Sequence, residues 1–271
     1  MVSEVCNPCD VNDSDAPANA RSRRLRWPLI GAAGLVIVVL GAFILYVFVF
    51  DDGPDALDAD DLSSALVATV PETATAAPAD TTATPGNTAP ADASAPTAFD
   101  GDWVPTEASE FGYRVDEVIA AANVTAVGRS NEINGILTIE GTTATVVDVE
   151  VEVESIRSDD ALRDAQFRGR IMSADEFPTA TFRITEPIEF GTIPTGDEQI
   201  TATATGELTL RGVTNPVEFD VTAQTTSGRI GVLGSIPVLF EDYGIDNPSF
   251  GAISVEDEGL VEFVLVFEPA A

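Results

Sequence analysis

Side chains able to do chemistry are few in this sequence, and their types exclude most of catalysis. Histidine does not occur. Its absence removes the usual general base near neutral pH and the commonest metal ligand, and with them Ser-His-Asp and Cys-His catalysis within the chain. The two cysteines, Cys6 and Cys9, are spaced Cys-Asn-Pro-Cys. Two thiolates supply only half of a tetrahedral zinc site, so they read as a pair of reduced thiols. Adjacent carboxylates recur, as in Asp159-Asp160 and Glu256-Asp257-Glu258. Such pairs serve glycosidases and calcium loops, but the Asp-x-Asp loop with its fixed downstream Glu is missing, and in an acidic chain these runs are solvated turns. No catalytic residue, metal site or cofactor is expected, and the chain reads as a binding protein, not an enzyme. Arg163 and Arg211 remain as charged candidates, since a guanidinium binds phosphate in bidentate fashion; Arg163 also has Asp159 and Asp160 as local partners.

The charge balance narrows the ligands further. Against 45 Asp+Glu there are 13 basic residues, all Arg, for a net charge of -32. A phosphate backbone is repelled by such a chain, so nucleic acid is not an expected partner. From Phe99 onward nine Arg face 32 acidic residues, a field that opposes a multiply anionic ligand and favours a neutral one.

The elements that must position a ligand begin with a membrane segment. No charged residue occurs from Trp27 to Phe50, and at 1.5 Å per residue the stretch spans roughly 36 Å, enough for a bilayer core. Arg21, Arg23, Arg24 and Arg26 precede it, while Asp51 and Asp52 follow. The sequence therefore predicts a cytoplasmic tail over 1–26, a transmembrane helix over 27–50, and everything beyond outside the cytoplasm of a single-pass cell-membrane protein. The run is longer than a signal-peptide core and ends without a small-x-small cleavage site, which favours an uncleaved anchor. Residues 51–98, rich in Ala, Thr, Pro and Asp, read as a disordered linker with a span on the order of 40 Å.

From Phe99 to Ala271 the pattern has period two. Val147, Val149, Val151 and Val153 alternate with Asp148, Glu150, Glu152 and Glu154, the mark of an antiparallel strand with one face in a core. Thr201 to Leu210 and Val217 to Gln224 alternate likewise around the turn-rich Arg211–Pro216, and so read as a hairpin. Val261 to Phe267 forms the last strand. With Phe111–Val115, Asn123–Gly128, Gly135–Glu140, Thr179–Thr185 and Ile230–Phe240 the count is about eight, which suits an all-β fold, either a closed antiparallel barrel or a β-sandwich. Ser155–Phe177 departs from period two and reads as a short helix with loops, capping one end of the barrel or covering a cavity.

Four blocks carry a resemblance to a known family. They are Ser155-Ile156 followed by Arg163-Asp164; Ser173-Ala174-Asp175-Glu176-Phe177-Pro178-Thr179-Ala180-Thr181-Phe182; Gly206 to Val217; and Phe240-Glu241-Asp242-Tyr243-Gly244-Ile245. In these, residues 103–269 resemble the YceI-like, lipid- or polyisoprenoid-binding proteins. The resemblance implies a lipocalin-like eight-stranded barrel whose apolar interior holds an isoprenoid chain. Family members often carry His near the first strands and after the Arg-Asp pair, whereas here Gln166 follows Arg163-Asp164-Ala165, so a head-group contact through histidine is absent. The expected ligand-binding residues are Phe167, Phe177, Phe182, Leu208, Leu210, Phe219 and Phe263 along the lining, with Arg163 and Arg211 for the polar end. The expected partners are an isoprenoid lipid or quinone, the membrane through the N-terminal helix, and a second copy in a homodimer. The competing reading is a stalked β-domain for protein interaction or adhesion that holds no lipid.

Overall fold

Period-two alternation leaves each strand one apolar face, and closing the sheet on itself is the arrangement that buries all of those faces without leaving edges. The computed structural model describes residues 54–68, 99–119 and 121–271. Among them are twelve strands: β1 (Gly101–Pro105), β2 (Glu110–Ile119), β3 (Ala122–Ser130), β4 (Ile133–Glu140), β5 (Thr143–Glu152), β6 (Thr179–Ile184), β7 (Ile188–Glu189), β8 (Ile200–Leu210), β9 (Val213–Thr226), β10 (Arg229–Leu239), β11 (Ile253–Val255) and β12 (Glu258–Pro269). Eight of them close an antiparallel ring, β1-β4-β5-β6-β8-β9-β10-β12, with β12 pairing back onto β1. Toward one end the hairpin β2–β3 takes over the wall. β2 pairs with β12 from Glu110 to Arg114 and with β11 beyond it, and β3 reaches the segment that follows β5 through the bridge Arg129↔Arg157.

The inward faces are those that alternation predicts. Ala204, Leu208 and Leu210 of β8, Phe219 and Val221 of β9 and Leu265 and Phe267 of β12 are buried in one core. Two details differ from the sequence reading. The β8–β9 connection is not a long loop but the two residues Arg211 and Gly212, both at positive φ (49° and 74°), as a type I′ hairpin turn requires. Strand β9 then resumes at once, and Pro216 is tolerated within it because β10 pairs with β9 only from Val221 onward, so nothing on that side requires its missing N–H. The irregular stretch after β5 holds one helical turn and a half, α2 (Ala161–Gln166), capped by Asp160, whose carboxylate accepts from the Leu162 and Arg163 amides at 2.6 and 3.1 Å. A π-helical turn, Phe167–Ile171, follows directly.

The second difference lies in the linker. Residues 54–68 are not featureless: Ala59–Val67 forms a helix, α1, with an Asp58/Asp61 capping box. Leu62 and Leu66, one turn apart, are 0 and 2 % exposed and pack with Val264 and Val266 on the outer face of β12. Gly231 of β10 makes the approach feasible, since a Cβ there would stand 2.7 Å from Leu62 and 2.8 Å from Leu66. Helix and barrel share one compact unit, Asp52–Ala271. No helix among the described residues is long and apolar enough to cross a membrane; residues 27–50, where the transmembrane helix is expected, and the tail with Cys6 and Cys9 lie outside them.

Candidate functional site

A barrel lined by aliphatic and aromatic residues is a solid core only if the side chains fill the axis, and here they leave space. Three cavities follow one another along the interior. The first, about 320 Å³, opens under α2 and the π-turn. The second, about 120 Å³, lies at mid-barrel and has an apolar surface throughout. The third, about 50 Å³, lies toward the far end beside Phe99 and Ile230. Phe111, Val151, Ala180, Leu210 and Val261 line both the first and the second and form a waist between them. Beyond, Phe99 and Trp103 stack at 5.8 Å, and the Trp103 Nε1–H donates to the Phe99 carbonyl at 2.9 Å.

The mid-barrel walls explain why space remains. Phe182 from β6, Phe219 from β9 and Phe263 from β12 meet edge to face, at 5.3 and 6.1 Å between centroids. Rigid rings in this arrangement attract through their edges and faces but cannot bend to close the gaps between them. Leu208 stands opposite Phe182 in the register of β6 and β8, and Leu210, one inward position further along, reaches the waist.

The mouth carries the polar groups. Phe167, presented by the first residue of the π-turn, stacks on Tyr113 of β2 at 4.6 Å and 21°. Room for the Tyr113 ring comes from Gly128 on β3, where a Cβ would lie 2.4 Å from it. Burial pushes the Tyr113 phenol up from 10.0 to about 12; the Arg163 charge pulls the other way, Asp164 adds to the rise, and a hydrogen bond with Ser158 lowers it. The phenol is thus a neutral hydrogen-bonding group at any physiological pH. Arg163 pairs with Asp159 and, at 3.3 Å, with Glu117 of β2. Burial works against its charge, but these carboxylates outweigh it and raise its pKa above the ordinary value. Asp164, buried beneath, accepts from the Ser158 hydroxyl at 2.7 Å and the Ser158 amide at 2.8 Å. The charged groups that line the opening, Glu117, Asp160 and Arg163, are therefore each partnered by the protein, and what the mouth offers a ligand is a phenol, a compensated guanidinium and carbon.

Of the nine residues expected from sequence, the structure brings seven to the interior. Phe167 and Arg163 line the mouth, Leu210 the waist, and Phe182, Leu208, Phe219 and Phe263 the mid-barrel cavity. Phe177 and Arg211 lie elsewhere and line none of the three. Phe177 lies over Gly212 in the β8–β9 turn, and Arg211 donates to the Gly244 carbonyl and, at 3.5 Å, to the Ser173 hydroxyl. Both fasten the turn to neighbouring loops, the work of a buckle and not of a lining. Tyr113, Gly128 and Ile156 were not anticipated: Tyr113 sits in Phe111-Gly112-Tyr113, where a period-two reading already assigns the inward direction, and that alternation is the signal that would have found it.

Known proteins agree with this geometry. A search of curated protein sequences finds no match. Among solved structures, a polyisoprenoid binding domain from Saccharophagus degradans implicated in plant cell wall breakdown aligns over 63 % of this chain and 99 % of its own, at 17 % identity and a TM-score of 0.51. BcnA of Burkholderia cenocepacia aligns over 57 % of this chain and 95 % of its own, at 21 % identity and a TM-score of 0.43. The first of these shows a shared fold. The family model for the YceI-like domain matches residues 104–267, from β1 through β12 and so around the whole barrel, and the chain belongs to the YceI-like domain family.

Proposed function

We propose that the protein is a membrane-tethered, extracytoplasmic carrier that holds an isoprenoid or similar long-chain lipid in its barrel, with a neutral head group such as a quinone at the mouth. The observation that carries this reading is the file of three apolar cavities, about 320, 120 and 50 Å³, behind a mouth whose charges are already paired. The outer one alone is within the range of small-molecule sites, about 300–1,000 Å³, and a hydrocarbon tail entering past the waist gains about 0.8 kcal/mol for each methylene removed from water. That the solved relative from Saccharophagus degradans is a polyisoprenoid binding domain supports the same ligand class. The anchor over 27–50 and the extracytoplasmic location rest on the apolar run and its flanking charges in the sequence. Mass spectrometry of an organic extract of the purified full-length chain tests the proposal. A polyprenyl lipid or quinone recovered in a near-stoichiometric amount is expected; a chain that repeatedly yields none contradicts it.

A further inference from the structure

Apolar side chains stand in solvent where the barrel opens. Leu162 on α2, Phe250 in the loop before β11 and Ile253 on β11 are 67, 79 and 38 % exposed, and all three line the mouth cavity. Val213 and Leu239 project from the same end, beside Leu210, Val238 and Phe240 of the mouth lining. Five of the seven large apolar residues exposed among the described residues thus gather at one end. Single exposed apolar residues are ordinary, but a ring of them around the opening of an apolar cavity marks a surface that meets another apolar phase. The two sides of the ring are tied together, since Arg170 in the π-turn donates to the Pro248 carbonyl at 3.0 Å.

The docked linker says which phase that is. Along β12, Gly259, Leu260 and Val261 line the mouth, whereas Phe263, Leu265 and Phe267 line the deeper cavity. The Pro54 carbonyl accepts from Arg114, which is paired with Glu262, so the chain meets the barrel wall only three residues, about 10 Å, from the mouth level. Its other end is fixed at the far end of the barrel, where Arg229 donates to the Ala68 carbonyl at 3.0 Å. The apolar run in the sequence ends at Phe50, and the four steps to Pro54 reach at most about 14 Å. A tether that measures 48 residues in sequence is therefore cut short by α1 to a leash attached beside the mouth.

We propose that the rim of Leu162, Phe250 and Ile253 enters the head-group and acyl boundary of the bilayer, so that a lipid passes between membrane and cavity without crossing water. This rests on the tethered-carrier reading. The net acidity of the domain, nine Arg against 32 acidic residues from Phe99 onward, suits a zwitterionic surface and is repelled by an anionic one. The test uses the full chain with Cys6→Ser and Cys9→Ser, reconstituted in phosphatidylcholine vesicles. One cysteine, Phe250→Cys at the rim or Asp197→Cys at the far end, carries an environment-sensitive fluorophore. Lipids with a nitroxide on the acyl chain are expected to quench the label at 250 at least threefold more than at 197, and Leu62→Asp with Leu66→Asp, which frees α1, is expected to abolish the difference. Equal quenching at 250 and 197 overturns the proposal. So does a label at 250 that is shielded without quenching and crosslinks to a second copy, which makes the rim a dimer face. Alkaline carbonate washing reads the anchor separately. A chain that washes off contradicts the anchor, and quenching at 250 before the wash still decides the rim.

Discussion

Tyr113 and Arg163 between them set the chemistry of the mouth. Burial holds the phenol neutral up to about pH 12, while Glu117 and Asp159 hold the guanidinium charged but compensated. Because the folded phenol ionises above its ordinary value of 10.0, the unfolded chain loses its proton first, and stability falls as pH rises from about 10 through about 12. Spectrophotometric titration is expected to show Tyr113 ionising late, with Tyr243, which burial also raises, above its ordinary value as well, and Arg163→Gln is expected to delay Tyr113 further by removing the charge that favours phenolate. A ligand effect belongs to this scale as well. Ala180 is one of five residues at the waist, and Ala180→Phe is expected to close it. Two methylenes denied burial correspond to about a tenfold loss of affinity, so competition binding with a fluorescent polyprenyl probe should weaken at least tenfold while circular dichroism is kept.

At the scale of elements, the outer helix is the part with the sharpest consequences. Leu62 and Leu66 bury against Val264, Val266 and Gly231. Truncating a fully buried leucine costs about 2 kcal/mol or more. Leu66→Ala is therefore expected to speed hydrogen exchange of the α1 amides about 30-fold or more, with the barrel strands little changed, because local opening of the helix does not require the ring to open. This helix is legible in the sequence. Leu62 and Leu66 stand at helical spacing behind an Asp-x-x-Asp cap, and Val264 and Val266 are apolar on the outward side of β12, a second signal that something covers that face. Composition averaged over 51–98 hid both. The barrel strands, by contrast, could be read from alternation alone, since Val147 to Glu154 and Thr201 to Leu210 each commit one face to the core. Period two could not separate barrel from sandwich, because closure depends on β12 reaching β1, a contact of residues more than 160 apart in the chain. Nor could it reveal the gaps between Phe182, Phe219 and Phe263, which arise from how three rings meet.

For the molecule as a whole, charge and cavity point to the same ligand class. Nine Arg against 32 acidic residues from Phe99 onward place the opening in a negative field, and the cations near it, Arg163 foremost, are already engaged. A delipidated chain is expected to bind a long-chain quinone more tightly than a prenyl pyrophosphate of equal tail length at low salt. The gap should narrow as added salt screens the exposed acidic residues; isothermal titration at two ionic strengths measures it. Equal affinities at low salt would show that the field does not choose the head group.

The central claim is that the closed sheet holds a lipid in space that its own side chains leave unfilled. A crystal structure of the chain purified from its host membrane tests this most directly. Elongated electron density is expected to run from beside Tyr113, past Leu210 and Val261, to the rings of Phe182, Phe219 and Phe263. Inward side chains that meet across the axis, with no gap wider than one water molecule, would contradict the account.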